Sequence, residues 1–117
     1  MDFEIEILNK IGLINNKIED EDKKRKKAAD ELLETAKVKL IENIDEEALK
    51  EGRVTYKTNF LFPLGEKEID LEYLAKICSE SLVYVDWSHA TPMGREFIFR
   101  LNIEQFIKKS SMTLKLN

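Results

Sequence analysis

The chain is short of everything that cross-links, breaks or anchors a polypeptide. Its one cysteine, Cys78, cannot form an internal disulfide, and a lone thiol fits a reducing compartment. The four glycines are widely spaced, so no glycine-rich phosphate loop is present. The two prolines, Pro63 and Pro92, each fall where a loop is expected. One histidine, one cysteine and scattered acids give no metal-ligand spacing, so neither a metal nor a cofactor is expected. No apolar run approaches the roughly 18 residues of a membrane span. The first residues, Met1-Asp2-Phe3-Glu4, carry acids where a secretory signal would carry bases, and a cytoplasmic protein is expected. An excess of positive charge is also lacking. The net charge of −4 argues against a general nucleic-acid binder and is too small for a DNA mimic.

What is present is a globular composition with a heavily charged surface: 43% hydrophobic and 36% charged residues in a 117-residue chain, read as a single domain, 1–117. Lysine outnumbers arginine 15 to 4, a bias that suggests an AT-rich bacterial or phage genome. No internal repeat, low-complexity tract or linker interrupts it.

The clearest pattern is Glu19-Asp20-Glu21-Asp22-Lys23-Lys24-Arg25-Lys26. Each acid precedes a base by four residues, the favourable order on a solvated helix, worth roughly 0.2–0.5 kcal/mol per pair. The run therefore bridges two apolar stripes rather than ending a helix. Phe3, Ile7, Ile11, Ile14 and Ile18 form the first, with Leu8 at its edge and Ile5 and Leu13 off it. Ala28, Ala29, Leu32, Leu33, Ala36, Leu40 and Ile41 form the second. One continuous helix over 3–42 would span about 60 Å, longer than a domain of this size is wide, so part of it would need a partner. The alternative is a helical hairpin turning near residues 19–22. Gly12, Asn15 and Asn16 are the weakest helix formers along the way. In heptad terms Glu21 and Arg25 interrupt the seam, so a coiled coil would be broken in its middle.

The rest, 45–116, reads as an α+β core. Asp45 caps a short helix over 46–51, ended by Gly52. Val54, Tyr56, Thr58, Phe60 and Phe62 alternate as a strand. Asp70 caps a helix over 71–80 with Leu71, Leu74, Ile77 and Cys78 inward. Strands follow at 82–87 and 95–101, the latter with Phe97 and Phe99 on one face and Ile98 on the other. Asn102 caps a short helix through 109, and Met112, Leu114 and Leu116 alternate as a short edge strand would. The expected fold is a small mixed sheet of 3–4 strands packed on helices. The first two strands would flank a crossover helix and run parallel, and the last two would pair antiparallel.

The loop around Asp86-Trp87-Ser88-His89 and Met93-Gly94-Arg95-Glu96 is the richest local chemistry. Trp, Met and Arg are enriched at binding surfaces, which makes Trp87, His89, Met93 and Arg95 the candidate partner-binding residues; a Trp87 packed on the core is the plainer reading. Ile5 and Leu13, off the main stripe, are candidates for self-association, with a homodimer through the N-terminal helices. The basic run Lys23, Lys24, Arg25, Lys26 and Lys27 is the candidate nucleic-acid contact, joined by Arg53, Arg95 and Arg100, although the acids before it neutralise it. A small hydrolase or transferase centred on Asp86, His89 and Glu96 is a third reading, but Ser88 lacks a nucleophile-elbow frame and no residue is assigned as catalytic. Aromatics on the strands read as core. The leading expectation is a non-enzymatic interaction protein, meaning an adaptor, inhibitor or assembly factor that binds another protein, of a kind phages or mobile elements encode.

Overall fold

The first 40 helical residues form one uninterrupted helix, α1 (Phe3–Glu42), and not a hairpin. The computed structural model describes residues 2–60, 69–88 and 95–115. Asp2 caps α1 by accepting the Glu4 amide at 3.0 Å, and Gly12, Asn15 and Asn16 are carried through as helix. In the charged stretch the ion pair that closes is i,i+3, Asp22 with Arg25, rather than Glu21 with Arg25 or Asp22 with Lys26. The helix dominates the shape. The radius of gyration is 20.0 Å, against about 13 Å for a compact domain of this length. The accessible surface is 9280 Å², against roughly 6,600 Å² for an ordinary monomer of this mass.

Beyond α1 the chain follows its local signals closely. Helix α2 (Glu46–Glu51) is capped by Asp45, which accepts the Ala48 amide at 2.7 Å. It ends at Gly52, whose φ of 70° is the left-handed conformation that stops helices with least strain. Strand β1 is Thr55–Phe60. Helix α3 (Leu71–Glu80) starts at Asp70, which accepts the Tyr73 amide at 3.0 Å. Strands β2 (Val83–Trp87) and β3 (Arg95–Leu101) follow. Phe62, at the end of the expected first strand, lies outside the described residues.

Two expectations are corrected. The sheet is antiparallel, not mixed, among the described residues. Its order is β1-β3-β2, so β3 stands between the two strands expected to be neighbours and runs against both. β1 and β2 still run the same way with α3 between them in sequence, a split β-α-β unit. Second, among the described residues no strand follows β3. Helix α4 (Ile103–Lys115), capped by Asn102 through the Gln105 amide at 3.2 Å, runs through Met112 and Leu114. Leu116 lies outside the described residues. Three apolar residues at alternate positions are too few to separate a period of 2 from one of 3.6, and a helix already under way extends at little cost.

The core lies between the sheet and a helical layer of α1 and α3. Phe97 and Phe99 of the central strand are fully buried, with ring centroids 6.4 Å apart, and Tyr56 stacks on Phe99 at 6.1 Å. Ala29, Leu32, Leu33, Ala36 and Leu40 come down from α1, and Leu74 and Cys78 from α3. Leu71 and Ile77 pack at its edge. The second apolar stripe of the sequence therefore covers the sheet as expected, except at Ile41, which is 69% exposed; the first does not. No helix among the described residues is long and apolar enough to cross a membrane.

Candidate functional site

Steps of three and four residues along α1 trace one line: Ile7, Ile11, Ile14, Ile18, Asp22, Arg25, Ala29, Leu32, Ala36, Leu40. On a helix these positions share a face. The two ends of that line have opposite fates. Ala29, Leu32, Ala36 and Leu40 are at most 9% exposed, pressed against α3 and the sheet. Ile7, Ile11, Ile14 and Ile18 are 41–50% exposed and are not among the residues packed into or against the core. Phe3 and Leu8 flank them and are more exposed still, as are Ile5 and Leu13 on other sides. The arm, residues 3–21, thus carries an apolar face continuous with the face that builds the core, but with no cover among the described residues.

The junction is built from polar groups. Asp22 and Arg25 pair on the line itself. The Arg25 carbonyl accepts the Asp70 amide at 3.3 Å, outside the helix's own ladder. One turn on, the Tyr73 hydroxyl donates to Asp30 Oδ1 at 2.9 Å, and Lys26 Nζ lies 5.7 Å from the Tyr73 ring centre. The hydrogen bond to the Asp30 carboxylate holds the Tyr73 hydroxyl above its ordinary pKa. These contacts tie α1 to the start of α3 at residues 25–30, where the described body ends. At the foot of the arm an open cleft of about 590 Å³ is lined by Arg25, Asp70, Leu71, Glu72, Ala75 and Trp87.

Helix propensity does not explain the arm. Within 3–21 stand five isoleucines, three asparagines and Gly12, all poorer helix formers than Ala, Leu, Glu or Lys. Most helical stability in proteins comes from packing an apolar face rather than from propensity. An arm that is apolar, weak in propensity and unpacked has the composition of a helix made to be covered.

The residues singled out in the sequence are dispersed. Trp87 is 37% exposed: its ring tilts against Phe97 at 6.4 Å while its edge lines the cleft, so it is both a core contact and a surface. Arg95 is half-buried on β3, opposite Phe60. His89 and Met93 lie outside the described residues. Asp86 is exposed, and Glu96 gives its amide to Ser88 Oγ at 3.0 Å, so the two acids of the hydrolase reading are placed without their histidine. Lys23, Lys24, Lys26 and Lys27 are exposed, but consecutive helical residues step about 100° apart and encircle the helix rather than forming one basic face. Arg25 turns inward to Asp22. Cys78 is a core residue whose thiol is pushed up to about 11 by burial, only partly offset by Lys37. Among the described residues no cluster of three or more His, Cys, Asp or Glu could hold a metal.

Sequence reasoning found the arm's stripe but assigned self-association to Ile5 and Leu13, off the stripe. The stripe itself is the larger uncovered surface. It also missed that Trp87 and Arg25, 62 positions apart, meet at one cleft. No local signal marks that meeting, which arises only when α3 packs on α1. No protein-family model matches the chain, and neither a curated protein nor a solved structure matches it.

Proposed function

We infer that this chain is a non-enzymatic interaction module, an adaptor, inhibitor or assembly factor, that offers the arm of α1 to the apolar face of a partner helix. The observation that supports it is the Ile7–Ile11–Ile14–Ile18 ladder, which continues the core-facing line of α1 yet stands uncovered. Helices with apolar residues at these spacings bind by laying that face on another apolar surface. Trp87, at the foot of the arm, adds an aromatic anchor of a type favoured at interfaces.

The test is capture from native lysate on tagged full-length chain, after nuclease treatment, compared with the Ile11→Ala/Ile14→Ala variant. Alanine keeps helix propensity while removing the two central rungs of the exposed ladder. The reading expects a stoichiometric, nuclease-resistant protein that the double variant fails to hold. Capture of nucleic acid alone, or capture indifferent to the double variant, would contradict it.

A further inference from the structure

We propose that the arm's occupant is a second copy of this chain, packed antiparallel, so that each arm ends at the foot of the other. The proposal rests on the reading of the arm as a docking element and adds the partner's identity and direction.

The direction follows from where the body sits. The body covers α1 on the same line of residues that the isoleucine ladder occupies further out. A parallel pair would place both bodies on the shared axis immediately beyond residue 22, where they would overlap. An antiparallel pair avoids this. Each arm runs back along the other's ladder, into space that the described body leaves open, and stops where that body begins.

The register follows from the ladder. In an antiparallel pair that matches all four rungs, Ile11 faces the partner's Ile14 and Ile7 faces the partner's Ile18. Opposed residue numbers then add up to about 25 by heptad geometry. The partner's Phe3 falls beside Asp22, next to the cleft lined by Arg25, Leu71, Ala75 and Trp87. That cleft would receive the partner's Phe3, which is otherwise 74% exposed. The contact is isologous, each chain giving and receiving the same residues, and it closes at two copies.

The area is sufficient. The exposed parts of Phe3, Leu8 and the four ladder isoleucines amount to about 600 Å² per copy, or about 1,200 Å² in the pair, the lower edge of stable specific interfaces. Charge sets a sign that can be tested. This register brings Lys10 near the partner's Lys17 and Glu4 near the partner's Glu21, all like pairs. A parallel pair would instead bring Lys17 near the partner's Asp22. Exposed pairs of this kind are weak and screened by salt, whereas overlapping bodies cannot be relieved. The antiparallel pair should therefore tighten as sodium chloride is raised.

The experiment is sedimentation equilibrium on the full chain from 1 to 200 µM at 50 and 500 mM sodium chloride, with a distance measurement between spin labels on Lys23→Cys. Cys78 is buried, so its thiol should escape labelling under native conditions. The expected results are three. The mass approaches twice 13.7 kDa, more closely at high salt. Ile11→Ala/Ile14→Ala weakens the dimer at least 100-fold while thermal unfolding of the body is unchanged. The labels lie roughly 30 Å or more apart, since residue 23 faces the partner's residue 2 and 21 residues rise about 32 Å. A dimer with labels under about 20 Å apart, one that loosens with salt, or one indifferent to the double variant would overturn the proposal. A wild-type chain that stays monomeric at 200 µM yet captures another protein through Ile11 and Ile14 would overturn the second-copy assignment and leave the interaction reading standing.

Discussion

Helix α1 contains its own control experiment. Its outer half, with Ile7, Ile11, Ile14 and Ile18, and its inner half, with Ala29, Leu32, Ala36 and Leu40, lie on one line and carry the same apolar pattern. The inner half is buried and the outer half is open. The pattern therefore states which face of a helix is to be covered, and the rest of the chain decides whether it is. The side chains differ in a telling way. The inner half places alanines at Ala29 and Ala36, where α3 and the sheet come close, and leucines between them. The outer half uses four isoleucines, bulky and β-branched, as a coiled-coil seam does.

The comparison can be pressed hardest through stability. Leu40→Ala, at a site 2% exposed, should cost about 2–5 kcal/mol in urea unfolding. Ile14→Ala, on the same face but 49% exposed, should cost less than about 0.5 kcal/mol at concentrations too low for association. Equal costs would mean that the arm is folded against the body.

A second contrast is chemical. Burial pushes the Cys78 thiol up to about 11 in the folded chain, against an ordinary value of about 8.5 in the unfolded chain. Between those values the unfolded chain has lost the proton and the folded chain retains it. The folded state then binds more protons, so this group's effect on stability is level below about pH 8.5 and becomes a loss as pH rises from there towards 11. Cys78→Ala should remove that part of the alkaline slope. In thiol-reagent kinetics on dilute protein at pH 8, Ile14→Cys on the arm should react much faster than Cys78; similar rates would contradict the dry-body, wet-arm contrast.

A smaller effect is expected at the junction. Asp70→Ala removes the cap of α3 beside the Arg25 contact and should lower stability by about 1 kcal/mol, read by thermal unfolding. Smaller still is Gly12→Ala. A Cβ there meets nothing within 4 Å, and the exchange is worth up to about 1 kcal/mol of helix propensity, confined to the arm. It should raise helicity by circular dichroism without moving the unfolding midpoint of the body.

Much of this architecture was legible because it is written locally. Asp45 and Gly52 bracket α2, Asp70 opens α3, and the alternation around Phe97 and Phe99 marks β3 with its faces correctly assigned. The acid-then-base run across Glu19 to Lys26 pointed to a continuous α1, although the pair that closes is Asp22 with Arg25 at three residues' spacing. What was not legible depends on long-range partners. Nothing in β1 or β2 says that β3 will insert between them, since each strand reads the same beside either neighbour. The end of α4 was misread because Met112, Leu114 and Leu116 satisfy two periods at once. At the candidate site the stripe was legible and its lack of cover was not, because cover is a property of the residues opposite. The same reason hides the meeting of Trp87 with Arg25.

The most direct test is hydrogen exchange at the amides of α1, measured by mass spectrometry at 1 and 200 µM. The account predicts that amides of 29–40 are protected at both concentrations, while those of 7–18 exchange rapidly when dilute and become protected when concentrated. Exchange over 7–18 that does not change with concentration would contradict the claim that a second copy covers the arm.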